Sequence, residues 1–131
     1  MRTTPEYITE LAENERFVFG ANLTGRHGRG AARQAMDQFG AQYGVGEGLT
    51  GQCYAFPTLD AYFRKLPLDT LREGVSNLIE TAEANPHLTF LVTKVGCGLA
   101  GFSEGTMIDV FDGVFCEYGI PENIVLPEGW R

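Results

Sequence analysis

The chain has 131 residues, of which 44% are hydrophobic and 21% charged, a balance typical of a folded globular domain rather than of a disordered segment. Seventeen acidic residues against ten lysines and arginines give a net charge of −7, so we expect no binding to a nucleic-acid polymer or to an anionic membrane surface. We expect one domain over residues 1–131, with its core in about residues 16–126.

The beginning of the chain predicts one strand and one helix. Residues 16–20 form an apolar run that ends in glycine, as in a buried strand that enters a turn. Small and apolar side chains at helical spacing predict a helix over residues 31–39. Gly40 follows directly and is expected to end that helix in a left-handed conformation.

The middle of the chain predicts a turn, a strand and a long helix. Glycines make residues 40–51 a long turn, and the apolar run at residues 52–57 is expected to be a buried strand that ends at its proline. Apolar side chains keep helical spacing over residues 67–85, with one proline in the first turn and Pro86 beyond the last.

The end of the chain completes an alternation of strands and helices. Residues 89–95 are β-branched, aromatic and almost wholly apolar, which is typical of a central strand covered on both faces. Ser103 is expected to cap a last amphipathic helix, and a short strand is expected near residues 123–126. The alternation predicts a largely parallel sheet with helices on both faces.

Two glycine-rich loops indicate where a ligand would bind. The first glycine loop, residues 21–30, precedes a helix whose free backbone N–H groups and dipole favour a phosphate, and Gly28 and Gly30 would allow its close approach. The second glycine loop, residues 96–101, has the sequence GCGLAG and offers a similar backbone cradle. Either loop alone could be only a tight connection, but the two together suit a diphosphate.

The first glycine loop lies in a basic segment of an acidic chain. Residues 16–36 hold four arginines and no acid. Arg26, Arg29 or Arg33 could add charge-assisted hydrogen bonds to an anion, although Arg33 fits a solvated helix residue better and Arg29 fits either role. Asn22 either caps the loop through its side chain or contacts a ribose.

Candidate catalytic groups are few, and none has a partner nearby in the sequence. His27 is expected to be exposed because its neighbours are polar, and it could contact substrate or be a neutral surface residue. Asp60 follows the second strand and Glu104 opens the last helix, and each could act as a general base. Cys97 is expected to be a buried, inert thiol rather than a nucleophile.

Cysteine and histidine usage predicts neither a metal site nor a cofactor. The three cysteines have no CxxC spacing, and the two histidines lie far apart in the sequence. Reduced thiols are expected, and no apolar stretch could serve as a signal peptide or a membrane span. We therefore expect a cytoplasmic protein, and the oligomeric state is left open.

Three segments, FVFGANLTGRHGRGAARQAMDQFG, GQCYAFPT and FLVTKVGCGLAGF, together resemble macrodomain-like proteins, the ADP-ribose-binding fold. The resemblance covers about residues 16–116 and is closest to small phage- and prophage-associated proteins and to the branch that removes terminal ADP-ribose from glutamate. It implies a three-layer α/β/α fold with a mostly parallel or mixed sheet and a pocket for an ADP-ribose-like nucleotide.

The resemblance also implies binding positions and missing catalytic groups. Asn22, Gly28, Gly30 and Ala31 match positions near the distal ribose and the diphosphate, with the second glycine loop on the other side of the ligand. A lysine and an aspartate that act in the glutamate-specific branch have no counterpart here, and Ala100 stands at the position of the aspartate. The residues expected at the ligand site are Gly20, Asn22, Arg26, Gly28, Arg29, Gly30, Ala31, Gly96, Cys97, Gly98, Leu99, Ala100, Gly101 and Phe102.

Three functions agree with these features. The first is binding of ADP-ribose or a related nucleotide diphosphate. The second is hydrolysis of an ADP-ribose linkage or of a nucleotide-derived signal, with His27, Asp60 or Glu104 as the base. The third is a phage-encoded factor that sequesters such a signal.

Overall fold

Strands and helices alternate along most of the chain in the computed structural model, which describes residues 2–130. The elements are β1 (Glu15–Asn22), α1 (Gly30–Phe39), β2 (Gly48–Thr50), β3 (Cys53–Leu59), α2 (Leu68–Ala84), β4 (Thr89–Val92), α3 (Glu104–Tyr118) and β5 (Ile124–Val125). They form a five-stranded sheet in the order β2-β3-β1-β4-β5. β2 runs antiparallel to β3, and all other neighbours are parallel.

The side chains of β1 alternate between the two faces of the sheet and so divide the core in two. Phe17 and Phe19 pack on one face with Ala35 and Phe39 of α1. Val18 points to the other face and joins the apolar cluster that α2 and α3 cover. The molecule is therefore a three-layer α/β/α structure with a mixed sheet, which confirms the fold class predicted from the sequence.

Both predicted helix signals are confirmed. Gly40 adopts a φ of 79° and ends α1, a conformation that glycine tolerates better than residues with a side chain. The Ser103 hydroxyl caps α3 by accepting a hydrogen bond from the Thr106 N–H at 3.1 Å. No helix among residues 2–130 is long and apolar enough to cross a membrane.

Two strand predictions in the first half are wrong in detail. β2 lies inside the segment expected to be only a turn, and its three residues are too short to show a hydrophobic period. β3 continues to Leu59 instead of ending at Pro57. β2 pairs only as far as Ala55, so Pro57 pairs with β1 alone and a residue without an N–H is tolerated there.

The strand after α2 is shorter than predicted. β4 ends at Val92, although Thr93 still bonds to β1 by donating both its N–H and its hydroxyl to the carbonyl oxygen of Val18. The Val95 N–H then closes a tight turn on the carbonyl oxygen of Thr93 at 2.7 Å. The expected last part of the strand is therefore a bend at the edge of the sheet. β4 is nevertheless an interior strand between β1 and β5, and its side chains belong to both apolar clusters, as expected of a strand covered on both faces.

Candidate functional site

A cavity of about 1010 Å³ opens at the edge of the sheet where the parallel strands β1, β3 and β4 end. Ligands of open α/β sheets commonly bind outside the carboxyl ends of the strands. The first glycine loop follows β1 and the second follows β4, so both line the same cavity. The sheet thus brings together two segments that lie about 70 residues apart in the sequence.

Residues of the first glycine loop and the start of α1 form one wall. Helix α1 has no side-chain cap and no acid in its first turn. The first N–H groups of a helix have no partner within it, and they carry the positive end of the helix dipole. The residues of this part that were expected at the site and that line the cavity are Gly20, Asn22, Arg26, Gly28, Arg29, Gly30 and Ala31.

Asn22 fixes the shape of the first glycine loop. Its Oδ1 accepts hydrogen bonds from the Arg26 N–H at 3.0 Å and from the Thr24 hydroxyl at 2.7 Å. Its Nδ2 donates to the carbonyl oxygen of Arg26 at 2.8 Å. Of the two roles left open by the sequence, loop capping is therefore present, and Asn22 also lines the cavity.

Close backbone contacts hold the first glycine loop against the segment before β2. Gly25 has a φ of 70°, and a Cβ on it would lie 2.3 Å from the carbonyl carbon of Gly44. A Cβ on Gly46 would lie 2.4 Å from the carbonyl oxygen of Leu23. These glycines therefore serve loop packing rather than ligand approach.

His27 is buried, and the expectation that it is exposed is wrong. Its ring is fully inaccessible, lies edge-on to Phe19 and contacts the carbonyl oxygen of Gln42 through Nε2 at 3.1 Å. Burial lowers its pKa below the ordinary value and outweighs the opposing effect of the hydrogen bond to Gln42. Polar neighbours in sequence misled the prediction because the loop turns this one side chain inward.

The second glycine loop forms the opposite wall. A Cβ on Gly20, at the end of β1, would lie 3.3 Å from the Gly96 nitrogen, so the two loops begin close together. Leu99 reaches across the cavity: its Cδ1 lies 3.9 Å from where a Cβ on Gly30 would be. The residues of this loop that line the cavity are Gly96, Gly98, Leu99 and Ala100.

Three residues expected at the site do not line the cavity. The N–H groups of Cys97, Gly101 and Phe102 donate to the carbonyl oxygens of Lys94, Gly98 and Gly96, respectively. These three donors are therefore not free to bind a ligand. The Cys97 thiol is half-buried rather than buried, and burial raises its pKa. Lys65 donates to the Gly101 carbonyl oxygen at 3.1 Å and lies over the Phe102 ring.

The charge of the cavity lining is positive. Arg26, Arg29 and Lys94 line it, and no acidic residue of residues 2–130 does. Lys94 also forms an ion pair with Glu104, which itself does not line the cavity, at 3.5 Å. The other two arginines of the basic segment are elsewhere: Arg33 pairs with Asp37 on α1, as a solvated helix residue would, and Arg16 bonds to backbone at the opposite end of β1.

Asp60 and Glu104, the two carboxylates proposed as bases, do not line the cavity. Oδ1 of Asp60 accepts hydrogen bonds from the N–H groups of Tyr62 and Arg64, and the bond from Arg64 is the main reason why the pKa of Asp60 is lowered. Glu104 accepts a hydrogen bond from the indole of Trp130 at 3.1 Å. Both carboxylates therefore have structural partners.

Sequence reasoning missed several residues of the cavity. Thr93 and Lys94 line it because β4 ends early, and the boundary of a short strand is hard to place from a pattern. Lys94 could have been found, since a lysine next to the second glycine loop is a plain signal for an anion. The aromatic residues Tyr43 and Phe63 lie in loops and gave no periodic signal. The missed residues are Ala21, Ala32, Tyr43, Thr58, Leu59, Phe63, Thr93, Lys94 and Val95.

Comparison with known proteins finds similarity in structure only. No family model matches the sequence, and no curated protein is significantly similar to it. The macrodomain of Mycobacterium tuberculosis DarG superposes with a TM-score of 0.69 over 97% of each chain, at 18% identity. A protein of unknown function from Bacteroides thetaiotaomicron superposes with a TM-score of 0.64 over 91% of this chain and 90% of its own, at 12% identity.

Proposed function

We propose that this chain, which has a macrodomain-like fold, binds ADP-ribose or a related nucleotide diphosphate in the cavity between its two glycine loops. One observation carries the proposal: the cavity lining is positive in a protein whose net charge is −7. Such a local reversal of charge favours a small anion at this position.

The lining suits a diphosphate in particular. Unpaired N–H groups at the start of α1 and the side chains of Arg26 and Arg29 converge from one side, and Lys94 lies on the other. The cavity volume of about 1010 Å³ is at the upper end of the range of small-molecule sites and leaves room for groups on both sides of the phosphates. A second groove of about 450 Å³ shares Thr93 and Lys94 with it.

Hydrolysis of an ADP-ribose linkage and sequestration of a phage-related signal stay predictions from the sequence. For hydrolysis, the three bases considered are His27, Asp60 and Glu104, each of which bonds to another part of the protein. We therefore propose binding as the function that the geometry supports best.

Titration calorimetry with ADP-ribose tests this proposal, with Gly28→Glu as the decisive variant. Gly28 has no positive φ, and no other part of the protein lies within 4 Å of the place that a Cβ on it would take, so glutamate fits there without strain. Its carboxylate would repel the diphosphate, and we expect binding to be abolished at unchanged melting temperature.

Gly113→Glu is the matched control, because Gly113 is equally open but lies on the surface of α3, away from the cavity. It makes the same change in net charge and should bind like the wild type. The proposal is contradicted if the wild type gives no heat at millimolar ADP-ribose, or if Gly28→Glu binds as the wild type does.

A further inference from the structure

The loop after β3 holds Phe63 in a backbone conformation that phenylalanine rarely adopts. Its φ of 61° is the one positive value at a non-glycine residue within residues 2–130. The left-handed region brings the Cβ of an L residue close to its own backbone, and for a bulky side chain it is a true outlier. Asparagine or glycine would adopt it at lower cost.

Hydrogen bonds in the hairpin loop impose this conformation. Leu59 and Lys65 form an antiparallel bridge, and the Phe63 N–H donates to the carbonyl oxygen of Asp60 at 3.1 Å. The carboxylate of Asp60 accepts from the N–H groups of Tyr62 and Arg64 at 2.8 and 2.9 Å. The Asp60 N–H donates to the carbonyl oxygen of Arg64 at 2.8 Å, which leaves a loop of three residues, and such loops commonly place a glycine at the left-handed position that Phe63 occupies here.

Folding gives no reason for an aromatic ring at this position. Phe63 is 51% exposed, belongs to neither apolar cluster and forms no aromatic pair with the described residues. The neighbouring Arg64 lies over the ring of Tyr62 instead. Phe63 nevertheless lines the cavity, and strain that persists at a cavity indicates a functional constraint.

We propose that Phe63 is a preformed stacking platform for a planar heterocycle carried by the ligand, an inference that rests on the function proposed above. The ring lies at the end of β3, and the anion-binding loop follows β1, the adjacent strand. Adjacent strands are about 4.8 Å apart, so the loops that follow β1 and β3 leave the sheet next to each other and line the same cavity. Asp60 then acts as a positioning residue, since it fixes the turn that presents the ring.

The heterocycle could come from either end of the ligand. ADP-ribose carries one base, adenine, whereas NAD carries a second ring on its distal ribose, and pyrophosphate carries none. Calorimetry with these three compounds therefore separates the sources. If the stacked ring is adenine, loss of the Phe63 ring should weaken the binding of both ADP-ribose and NAD. If it is the ring on the distal ribose, only the binding of NAD should weaken.

The variants are Phe63→Ala and Phe63→Asn, with Phe63→Tyr as the control that keeps the ring. Loss of base stacking should weaken binding of the ring-bearing ligand roughly tenfold or more in both variants, while pyrophosphate binding and the Tyr control stay at the wild-type level. Phe63→Asn should melt at or above the wild type, because asparagine tolerates the left-handed conformation, and Phe63→Ala should melt below Phe63→Asn.

The outcomes are distinguishable. Wild-type protein that binds none of the three compounds overturns the proposed function and this inference with it. Wild-type protein that binds ADP-ribose or NAD, with both Phe63 variants unchanged in affinity, overturns the stacking role alone. The stacking role is also overturned if the Phe63 variants lose as much affinity for pyrophosphate as for the ring-bearing ligand. A Phe63→Asn protein that melts well below the wild type overturns it as well, because either result would show that the ring has a structural role.

Discussion

The Nε2 atom of His27 lies 3.1 Å from the carbonyl oxygen of Gln42, and this contact joins the first glycine loop to the segment before β2. A carbonyl oxygen can only accept, so Nε2 carries the proton in the neutral ring. Nδ1 is buried and has no hydrogen-bond partner among residues 2–130. His27 thus supports one wall of the cavity from behind the loop.

Replacement of His27 by alanine should destabilise the fold. The substitution removes a fully buried ring and one hydrogen bond, and we expect the free energy of unfolding to fall by about 2–4 kcal/mol. Urea denaturation followed by circular dichroism measures this change. His87→Ala is the matched control, since His87 is exposed and its loss should change stability by less than about 0.5 kcal/mol. Equal stability of the two variants would contradict the structural role.

Stability should also decrease on mild acidification because of His27. Burial depresses its folded-state pKa below 6.5, so between these two values the unfolded chain binds a proton that the folded chain does not. The stabilising contribution is therefore complete above about pH 6.5 and is lost as the pH falls below that value, by at most about 1.4 kcal/mol per pH unit.

Urea denaturation at pH 7.5 and pH 5.5 measures this loss. The pKa values of Glu15 and Asp60 are also lowered, but their contributions are lost only below their ordinary values of 4.5 and 3.8. His87→Ala should keep the difference between the two pH values, and His27→Ala should lose it. A difference that persists in His27→Ala would show that another group is responsible.

Arg26 and Arg29 should each contribute to ligand affinity, and Arg33 should not. Both lining arginines are exposed, so we expect each alanine variant to weaken ADP-ribose binding about two- to fivefold at low salt, and less as salt screens the charge. Arg33 pairs with Asp37 and does not line the cavity, so Arg33→Ala removes the same charge as a control. Equal effects of all three variants would indicate only a general effect of net charge.

The layers of the fold could be predicted from the sequence, because they depend on the spacing at which apolar side chains recur along each strand and helix. The long apolar runs of β1 and β4 and the helical spacing in α2 and α3 require burial on particular faces, whatever their detailed neighbours are. Strand ends were less predictable. They depend on which neighbouring strand is present, as at Pro57, and on where the backbone turns, as in the bend from Thr93 to Val95.

The candidate site was predictable where glycine and charge mark it. Most of the first glycine loop and four of the six residues of the second line the cavity. The burial of His27 could not be predicted, because it arises from contact with another loop, at Gln42. The left-handed backbone of Phe63 could not be predicted either, because it arises from a turn that Asp60 stabilises. Such features have no period and no composition signal.

A crystal structure of the protein with ADP-ribose tests the central claim most directly. We predict density for the diphosphate between Gly28 and Gly98, the open glycines of the two loops, with Arg26 or Arg29 within hydrogen-bonding distance of its oxygens. Density for the ligand at any other place on the protein, or a cavity without ligand at concentrations that saturate binding in solution, would contradict the account.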